Sequence, residues 1–134
     1  EMLRSLVGSE MCIRDRQVAV AQVIVNRVYD ERFPDNVCDV VKQGEYYTWN
    51  TSIPIKHRCQ FSFWCDGKSE DMHDEMAKQW SYNVAEATLA GSLYDTTAGG
   101  THYHADYVVP NWSTNAKFTR TVQINAHIFY RWER

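Results

Sequence analysis

The sequence has few residues that break regular structure and no long hydrophobic run. Only 6 glycines and 3 prolines occur among 134 residues, which excludes collagen and low-complexity disorder. The apolar stretch 18–25 is interrupted by Gln22 and falls far short of the roughly 20 residues of a membrane helix. An excess of positive charge is also absent, because the net charge is −3. We therefore expect a soluble domain with no membrane span and no nucleic-acid partner.

Cysteines are few, and none has the CxxC spacing of a zinc or redox site. One disulfide among Cys38, Cys59 and Cys65 and a set of buried free thiols are both open alternatives. The N-terminus shows no apolar run of the kind that forms a signal peptide. We expect a fragment, a mature form or a protein exported by another route.

The length predicts one domain, and the hydrophobic periodicity predicts its elements. A largely buried helix is predicted at 17–29 from Val20, Ile24 and Val28, and a short helix follows Phe33-Pro34-Asp35. A long aromatic loop is predicted over 45–69, and a third helix over 71–90 that ends at Gly91. Strands are predicted at 101–109, 118–124 and 128–132, the last two around a turn at Asn125. The predicted class is α+β, with helices followed by a small antiparallel sheet.

Histidines are concentrated in the last third of the chain. His102 and His104 lie two residues apart on a predicted strand, so their side chains share one face, while Tyr103 lies on the other. With His127 they make a weak candidate for a zinc site. We favour His104 as a polar wall of a cleft, and we expect no metal and no cofactor.

A second candidate cluster, residues 59–67, places an amide and a hydroxyl among large aromatic rings. Sugars are bound by this combination, because aromatic faces cover their C–H surfaces and polar groups bind their hydroxyls and N-acetyl groups. Gln60, Ser62 and Trp64 are therefore candidate glycan-binding residues. Phe61 and Trp112 are further candidates, for which packing within an aromatic minicore is the open alternative.

Acid catalysis on a glycosidic bond needs a carboxylic acid in an apolar setting that keeps it protonated. Glu70, Asp71, Asp74 and Glu75 crowd a predicted helix start, where the helix dipole and solvent explain them. Asp95 is expected to cap a turn through its side chain. Glu10 remains, just upstream of the first buried helix.

Taken together, the sequence resembles the SleB-type cell wall hydrolases, enzymes of spore-cortex, phage and bacterial peptidoglycan breakdown. The matching motifs run in order through the chain: residues 17–28, Phe33-Pro34, Val37-Cys38, residues 59–64, Trp80, Gly91, Asp95, Thr97, residues 99–104, Val109-Pro110, Trp112 and residues 127–131.

The resemblance implies a compact lysozyme-like α+β domain that cleaves the MurNAc–GlcNAc bond. One glutamate would act as acid and then base, by hydrolysis or by lytic transglycosylation, and neither route needs a metal. It also implies peptidoglycan glycan strands as partner and a cell-envelope, secreted or phage-encoded location, and we expect a monomer.

The N-terminal segment departs from the family pattern. The family has a segment close to Tyr-Gly-Glu-Ala-Arg-Gly-Glu before the first helix, and its glutamate would fall on Gly8, two places from Glu10. Residues 5–16 resemble translated sequencing-adapter sequence. We therefore expect residues 1–16 to be non-native and residues 17–134 to be an N-terminally truncated catalytic domain, with Glu10 as the stand-in for the acid.

The prediction is thus a cell wall hydrolase whose cleft is lined by eight glycan-binding side chains: Gln60, Phe61, Ser62, Trp64, His102, Tyr103, His104 and Trp112. A non-catalytic peptidoglycan-binding module with the same lining is the first alternative. A metallohydrolase built on His102, His104 and His127 is the second.

Overall fold

The computed structural model describes residues 18–61, 64–65, 82–83, 85–91 and 94–134, with the backbone alone for His57. The chain divides into two compact units. The first combines Glu1–Asn26 with Trp80–Arg134, and the second is Arg27–Gln79. Within the described residues, no helix is both long and apolar enough to cross a membrane.

The first helix, α1, covers residues 18–28 of the described chain, as the periodicity predicts. Its most buried stripe is Ala19, Val23 and Arg27, each four residues after the last and at most 3% exposed. The predicted stripe of Val20, Ile24 and Val28 is only half-buried. The predicted inward face is therefore displaced by one residue from the observed one. Apolar periodicity does not reveal the observed face, because the charged residue Arg27 belongs to it.

The second unit continues with a short helix, α2, at Val37–Val41. Its N-cap is Asn36, next to the predicted Asp35, and the Asn36 Oδ1 accepts a hydrogen bond from the Asp39 amide at 2.9 Å. This contact satisfies one of the amides left unpaired at a helix start.

An antiparallel hairpin follows, with β1 at Gly44–Tyr47 and β2 at Asn50–Cys59. The prediction of a long loop over 45–69 is therefore wrong for its first half. The sequence of the hairpin shows no clear alternation of apolar and polar residues, because most described side chains of β2 are exposed and Pro54 interrupts the pattern. Gly44 is required where the strands meet, since a Cβ there would lie 2.6 Å from the Cys59 Cα.

Of the third predicted helix, residues 82–83 and 85–89 are described and helical, and Gly91 follows them with φ +71°. The predicted left-handed stop at Gly91 is therefore confirmed. The start of this helix, from 71 to 81, lies outside the described residues. Thr88 on its last turn is only 3% exposed.

A three-stranded antiparallel sheet completes the first unit, in the order β3–β5–β4. Strand β3 is His102–Ala105, β4 is Phe118–Ile124 and β5 is His127–Trp132. Asn125 makes the predicted turn with φ 54°. The first predicted strand is shorter than expected, because the chain turns after Ala105 and exposes Tyr107 and Val109.

The register of this sheet decides which side chains share a face. His102 is paired with Tyr130, and His104 with Ile128, so these four lie on one face. Between β3 and β4 a 3₁₀ helix at Asn111–Thr114 brings Trp112 to the same face, where it contacts both histidine rings. The pairing of β4 with β5 shifts register between Arg120, which is opposite Tyr130, and Val122, which is opposite Phe129. Arg120 and Val122 therefore lie on opposite faces of the sheet although they are two residues apart.

Candidate active site

One face of the β3–β5–β4 sheet carries a continuous aromatic cluster. The ring centroid of His102 lies 5.1 Å from that of Trp112, 4.8 Å from that of Phe118 and 6.0 Å from that of Trp132. His104 lies 5.7 Å from Trp112 and stacks on Tyr130 at 5.3 Å. The half-buried rings of His102, His104 and Trp112, three of the predicted glycan-binding residues, thus meet on one surface.

Hydrogen bonds fix the orientation of the His104 ring. Its Nδ1 lies 2.7 Å from the Ala105 carbonyl oxygen, which can only accept, so Nδ1 carries the proton. In the neutral ring the Nε2 is then an acceptor, and the Tyr130 hydroxyl lies 3.1 Å from it as donor. His104 is therefore held in one tautomer between a backbone carbonyl and a buried tyrosine.

Two other predicted residues lie on the opposite face of the sheet. Tyr103 stacks on Phe129 at 5.5 Å and meets His127 edge-on at 5.4 Å. His127 is therefore separated by the sheet from His102 and His104, and the three histidines proposed for a zinc site do not converge. The described part of the chain contains no group of three or more potential metal ligands.

A hydrogen-bonded network joins α1 to the turn that precedes β3. Asn26 Nδ2 donates to Asp95 Oδ2 at 3.1 Å and to the Gly100 carbonyl at 2.9 Å, and Gln22 Nε2 donates to Asn26 Oδ1 at 3.0 Å. Thr97, which is fully buried, donates through its hydroxyl to Asp95 Oδ1 at 2.6 Å. Asp95 is thus the central acceptor of the network, as its predicted turn-capping role requires.

The same contacts determine the protonation state of Asp95. Burial alone would raise its pKa, but donors from the Thr97 hydroxyl, the Gly99 and Thr97 amides and Asn26 outweigh it. The pKa of Asp95 is therefore lowered from its ordinary value of 3.8. An ionised carboxylate has no proton to give, so Asp95 positions the strand and is unsuited to general-acid catalysis.

In the second unit, Arg27 organises the predicted glycan-binding segment. Its guanidinium donates to Gln43 Oε1 at 3.0 Å and to Gln60 Oε1 at 3.3 Å. It also lies 4.7 Å from the Phe33 ring centroid and 5.2 Å from that of Phe61. Since Phe61 is 0% exposed, its ring packs beside a buried cation, and its prediction as a glycan-binding surface is wrong.

A disulfide between Cys59 and Cys65 closes the segment that contains Gln60 and Trp64, while Cys38 is free and exposed. This settles the alternative that the sequence left open. Trp64 is half-buried, and its Nε1 donates to the Tyr46 hydroxyl at 3.1 Å. Gln60 is exposed, with its amide oxygen turned to Arg27.

Two predicted residues, Glu10 and Ser62, lie outside the described residues. The aromatic face of the sheet carries histidine, arginine, glutamine and aromatic side chains, and no carboxylate belongs to its described strand positions. Sequence reasoning missed Tyr130, Phe118 and Trp132 as members of this face. The turn at Asn125 would have identified them, because it fixes how β4 and β5 align.

An aromatic surface with a few oriented polar groups, here His104 and the Tyr130 hydroxyl, is the combination that ligand-binding sites use. The chain belongs to the cell wall hydrolase family, because the model of that family matches residues 14–130. The predicted family and α+β class are therefore confirmed, as is the peptidoglycan-degrading function at the level of the family.

Two solved structures have a similar fold. The catalytic domain of the germination-specific lytic transglycosylase SleB from Bacillus anthracis is 25% identical, with a TM-score of 0.59 over 86% of this chain and 77% of that one. The catalytic domain of the Bacillus cereus SleB protein is 23% identical, with a TM-score of 0.53 over 86% and 73%. No curated protein sequence matches the chain significantly.

Proposed function

We propose that this domain cleaves the MurNAc–GlcNAc bond of peptidoglycan as a lytic transglycosylase with a single catalytic glutamate. The similarity to the Bacillus anthracis lytic transglycosylase supports the reaction class. The location we propose is the cell envelope or the exterior, where the polymer lies, and the disulfide between Cys59 and Cys65 suits an oxidising compartment. We propose that it acts as a monomer.

The observation that carries the proposal is the state of Asp95. It is the half-buried carboxylate of the turn that precedes β3, and its lowered pKa and its donors make it a positioning group, while Asp106, directly after β3, is exposed. The aromatic face of the sheet therefore needs its acid from another segment. A glutamate just before α1 is the source that the family pattern indicates, and in this sequence Gly8 stands at its place, with Glu10 two residues further on.

Lytic transglycosylation fits such a site because one carboxyl group serves both steps. The acid gives its proton to the oxygen of the leaving GlcNAc. The resulting carboxylate then takes the proton of the muramoyl 6-hydroxyl, whose oxygen closes on the anomeric carbon. No second carboxylate is needed to activate water, in contrast to inverting hydrolysis.

The other residues bind the glycan in this proposal. Trp112 and the two histidines of the aromatic face contact sugar rings and their N-acetyl groups, and Gln60, Ser62 and Trp64 contribute amide, hydroxyl and indole groups. In the chain with the restored acid described next, Trp112→Ala should reduce lytic activity by about five- to thirtyfold and leave the fold intact, since a Trp anchor at a binding surface contributes on the order of 1–2 kcal/mol.

The proposal is tested by restoring the acid. We propose that residues 1–16 replace the natural segment, so the family's segment is grafted there with its glutamate at position 8. The graft should release soluble muropeptides from purified peptidoglycan, and its glutamine counterpart should not. Equal activity in the unmodified chain would contradict the proposal, unless Glu10→Gln abolishes that activity and so identifies Glu10 as the acid.

A non-catalytic binding module is the second candidate, favoured by the glycine at position 8. It predicts that the unmodified chain and the graft both bind insoluble peptidoglycan and that neither releases fragments. Activity in the graft therefore decides between the two functions.

A further inference from the structure

The β1–β2 hairpin of the second unit presents an aromatic ring pair at its tip. Trp49 is 72% exposed, and its ring centroid lies 5.3 Å from that of Tyr47, with the planes tilted by 35°. None of the predicted site residues belongs to this pair. A paired Trp and Tyr offers a wider and more ordered apolar surface than a single exposed ring.

The hairpin holds this ring pair in place through its backbone. Tyr47 is paired with Asn50 across the tip, and the Asn50 Oδ1 accepts a hydrogen bond from the Ser52 amide at 3.0 Å. Only Thr48 and Trp49 lie between the two strands. The tip is therefore a tight connection that fixes the position of Trp49 without burying it.

The base of the hairpin is anchored to the rest of its unit. The Tyr46 hydroxyl donates to the Lys42 carbonyl and accepts from Trp64 Nε1. The disulfide of Cys59 holds the other strand. A rigid arm of this kind loses little conformational entropy when a ligand binds at its tip.

The charge of the arm is opposite to that of the whole chain. The hairpin, residues 44–59, contains two cations, Lys56 and Arg58, and one carboxylate, Glu45, so it carries a net charge of +1 in a chain of net charge −3. Glu45 is paired with Arg58 at 3.1 Å, and Lys56 is exposed. The arm is thus a basic and aromatic element of an acidic protein.

We propose that the β1–β2 hairpin is a second glycan-binding site, at which Trp49 and Tyr47 stack on sugar rings of peptidoglycan and Lys56 interacts with its carboxylates. The proposal rests on the proposed function for the identity of the polymer. Aromatic faces bind the C–H surfaces of sugars, and the lactyl and stem-peptide carboxylates of peptidoglycan complement the basic strand. The site would retain the enzyme on an insoluble substrate.

The test is retention of the chain as it stands on purified insoluble peptidoglycan, measured by co-sedimentation. Trp49→Ala should weaken retention by about tenfold, the effect expected of a Trp anchor, while Trp49→Phe should keep most of it. Lys56→Glu should weaken retention at low salt, and the difference should shrink as salt screens the charges. Tyr29→Ala is the matched control. Tyr29 is an 82% exposed aromatic residue of the same unit that lies outside the hairpin, so its replacement should leave retention unchanged.

Equal retention of Trp49→Ala and the unmodified chain overturns the proposal, as does a loss of the same size in Tyr29→Ala. Failure of the unmodified chain to sediment with peptidoglycan overturns it as well, and so does sedimentation with anionic phospholipid vesicles in place of peptidoglycan. Circular dichroism melts of each variant confirm folding, which an exposed ring should not affect. Retention requires no cleavage, so these outcomes are distinct from an inactive graft, which contradicts the proposed function instead.

Discussion

Asn26 and Asp95, which lie 69 residues apart in the chain, are joined by a hydrogen bond of 3.1 Å from the amide nitrogen to the carboxylate. The contact connects the last part of α1 to the turn from which β3 begins. The same Asn26 amide binds the Gly100 carbonyl, two residues before His102. The helix that follows the proposed catalytic segment is therefore fixed to the turn that leads into the strand with His102 and His104.

The first prediction concerns the carboxylate of this network. Asp95→Asn should lower the free energy of unfolding by about 1–3 kcal/mol. The asparagine side chain has an NH₂ group in place of one carboxylate oxygen, and because this group cannot accept, the donors that face it are left unpaired. Chemical denaturation measures the change. Asp106→Asn, an exposed carboxylate near the other end of β3, is the control and should change stability by no more than about 0.5 kcal/mol. Equal effects of the two variants would contradict the role given to Asp95.

The second prediction concerns pH. Because the pKa of Asp95 is lower in the folded chain than its ordinary value of 3.8, its stabilising contribution is fully present above that value. It is lost as pH falls through the folded pKa. The difference in Tm between the unmodified chain and Asp95→Asn should therefore be constant from pH 7 to about 5 and shrink below about pH 4. A difference that grows on acidification would show that the pKa is raised.

The third prediction concerns the buried cation of the second unit. Arg27 is 3% exposed and bonds two amide oxygens between two aromatic rings. Arg27→Lys should destabilise the chain by about 2–4 kcal/mol, since an ammonium group cannot reproduce the planar fork or the stacking.

Arg58→Lys is the matched control for that change. Arg58 pairs with the Glu45 carboxylate, and both side chains of that pair are more than 60% exposed. Its replacement should change the free energy of unfolding by less than about 0.5 kcal/mol. Thermal melts of the two variants should differ clearly, and similar melts would contradict the structural role of Arg27.

The fourth prediction concerns the disulfide. Replacing Cys59 and Cys65 together by alanine should lower the free energy of unfolding by about 2 kcal/mol, the effect expected for a short closed loop. Cys38→Ser, at an exposed free thiol, should leave stability unchanged. Reducing agent should lower the Tm of the unmodified chain and of Cys38→Ser alike, and it should not affect the double variant. A double variant as stable as the unmodified chain would contradict the bond.

Much of the sheet could be predicted from sequence. One of its faces is packed, and successive residues of a strand alternate between the two faces, so the packing leaves a pattern of period two. The spacing of His102, Tyr103 and His104 predicted their faces correctly, and Asn125 marked the turn between β4 and β5. Gly91 marked the helix end because glycine adopts a positive φ without steric cost.

The hairpin and the Arg27 cluster could not be predicted in the same way. Periodicity reports burial, and the described side chains of β2 are largely solvated, so the strand leaves no periodic pattern. Arg27 was overlooked because arginine is rarely buried unless it is paired, and its partners Gln43 and Gln60 are distant in sequence. The burial of Phe61 is equally hidden, because its contact with the Arg27 guanidinium leaves no pattern in the sequence.

The central claim is that a single glutamate before α1 performs the chemistry on a glycan held by the aromatic face. Its most direct test is mass spectrometry of muropeptides released by the position-8 glutamate graft in water enriched in oxygen-18. The account predicts products with 1,6-anhydro ends and no incorporated label, absent from digests with the glutamine counterpart. Labelled reducing ends, or the same products from the glutamine counterpart, would contradict it.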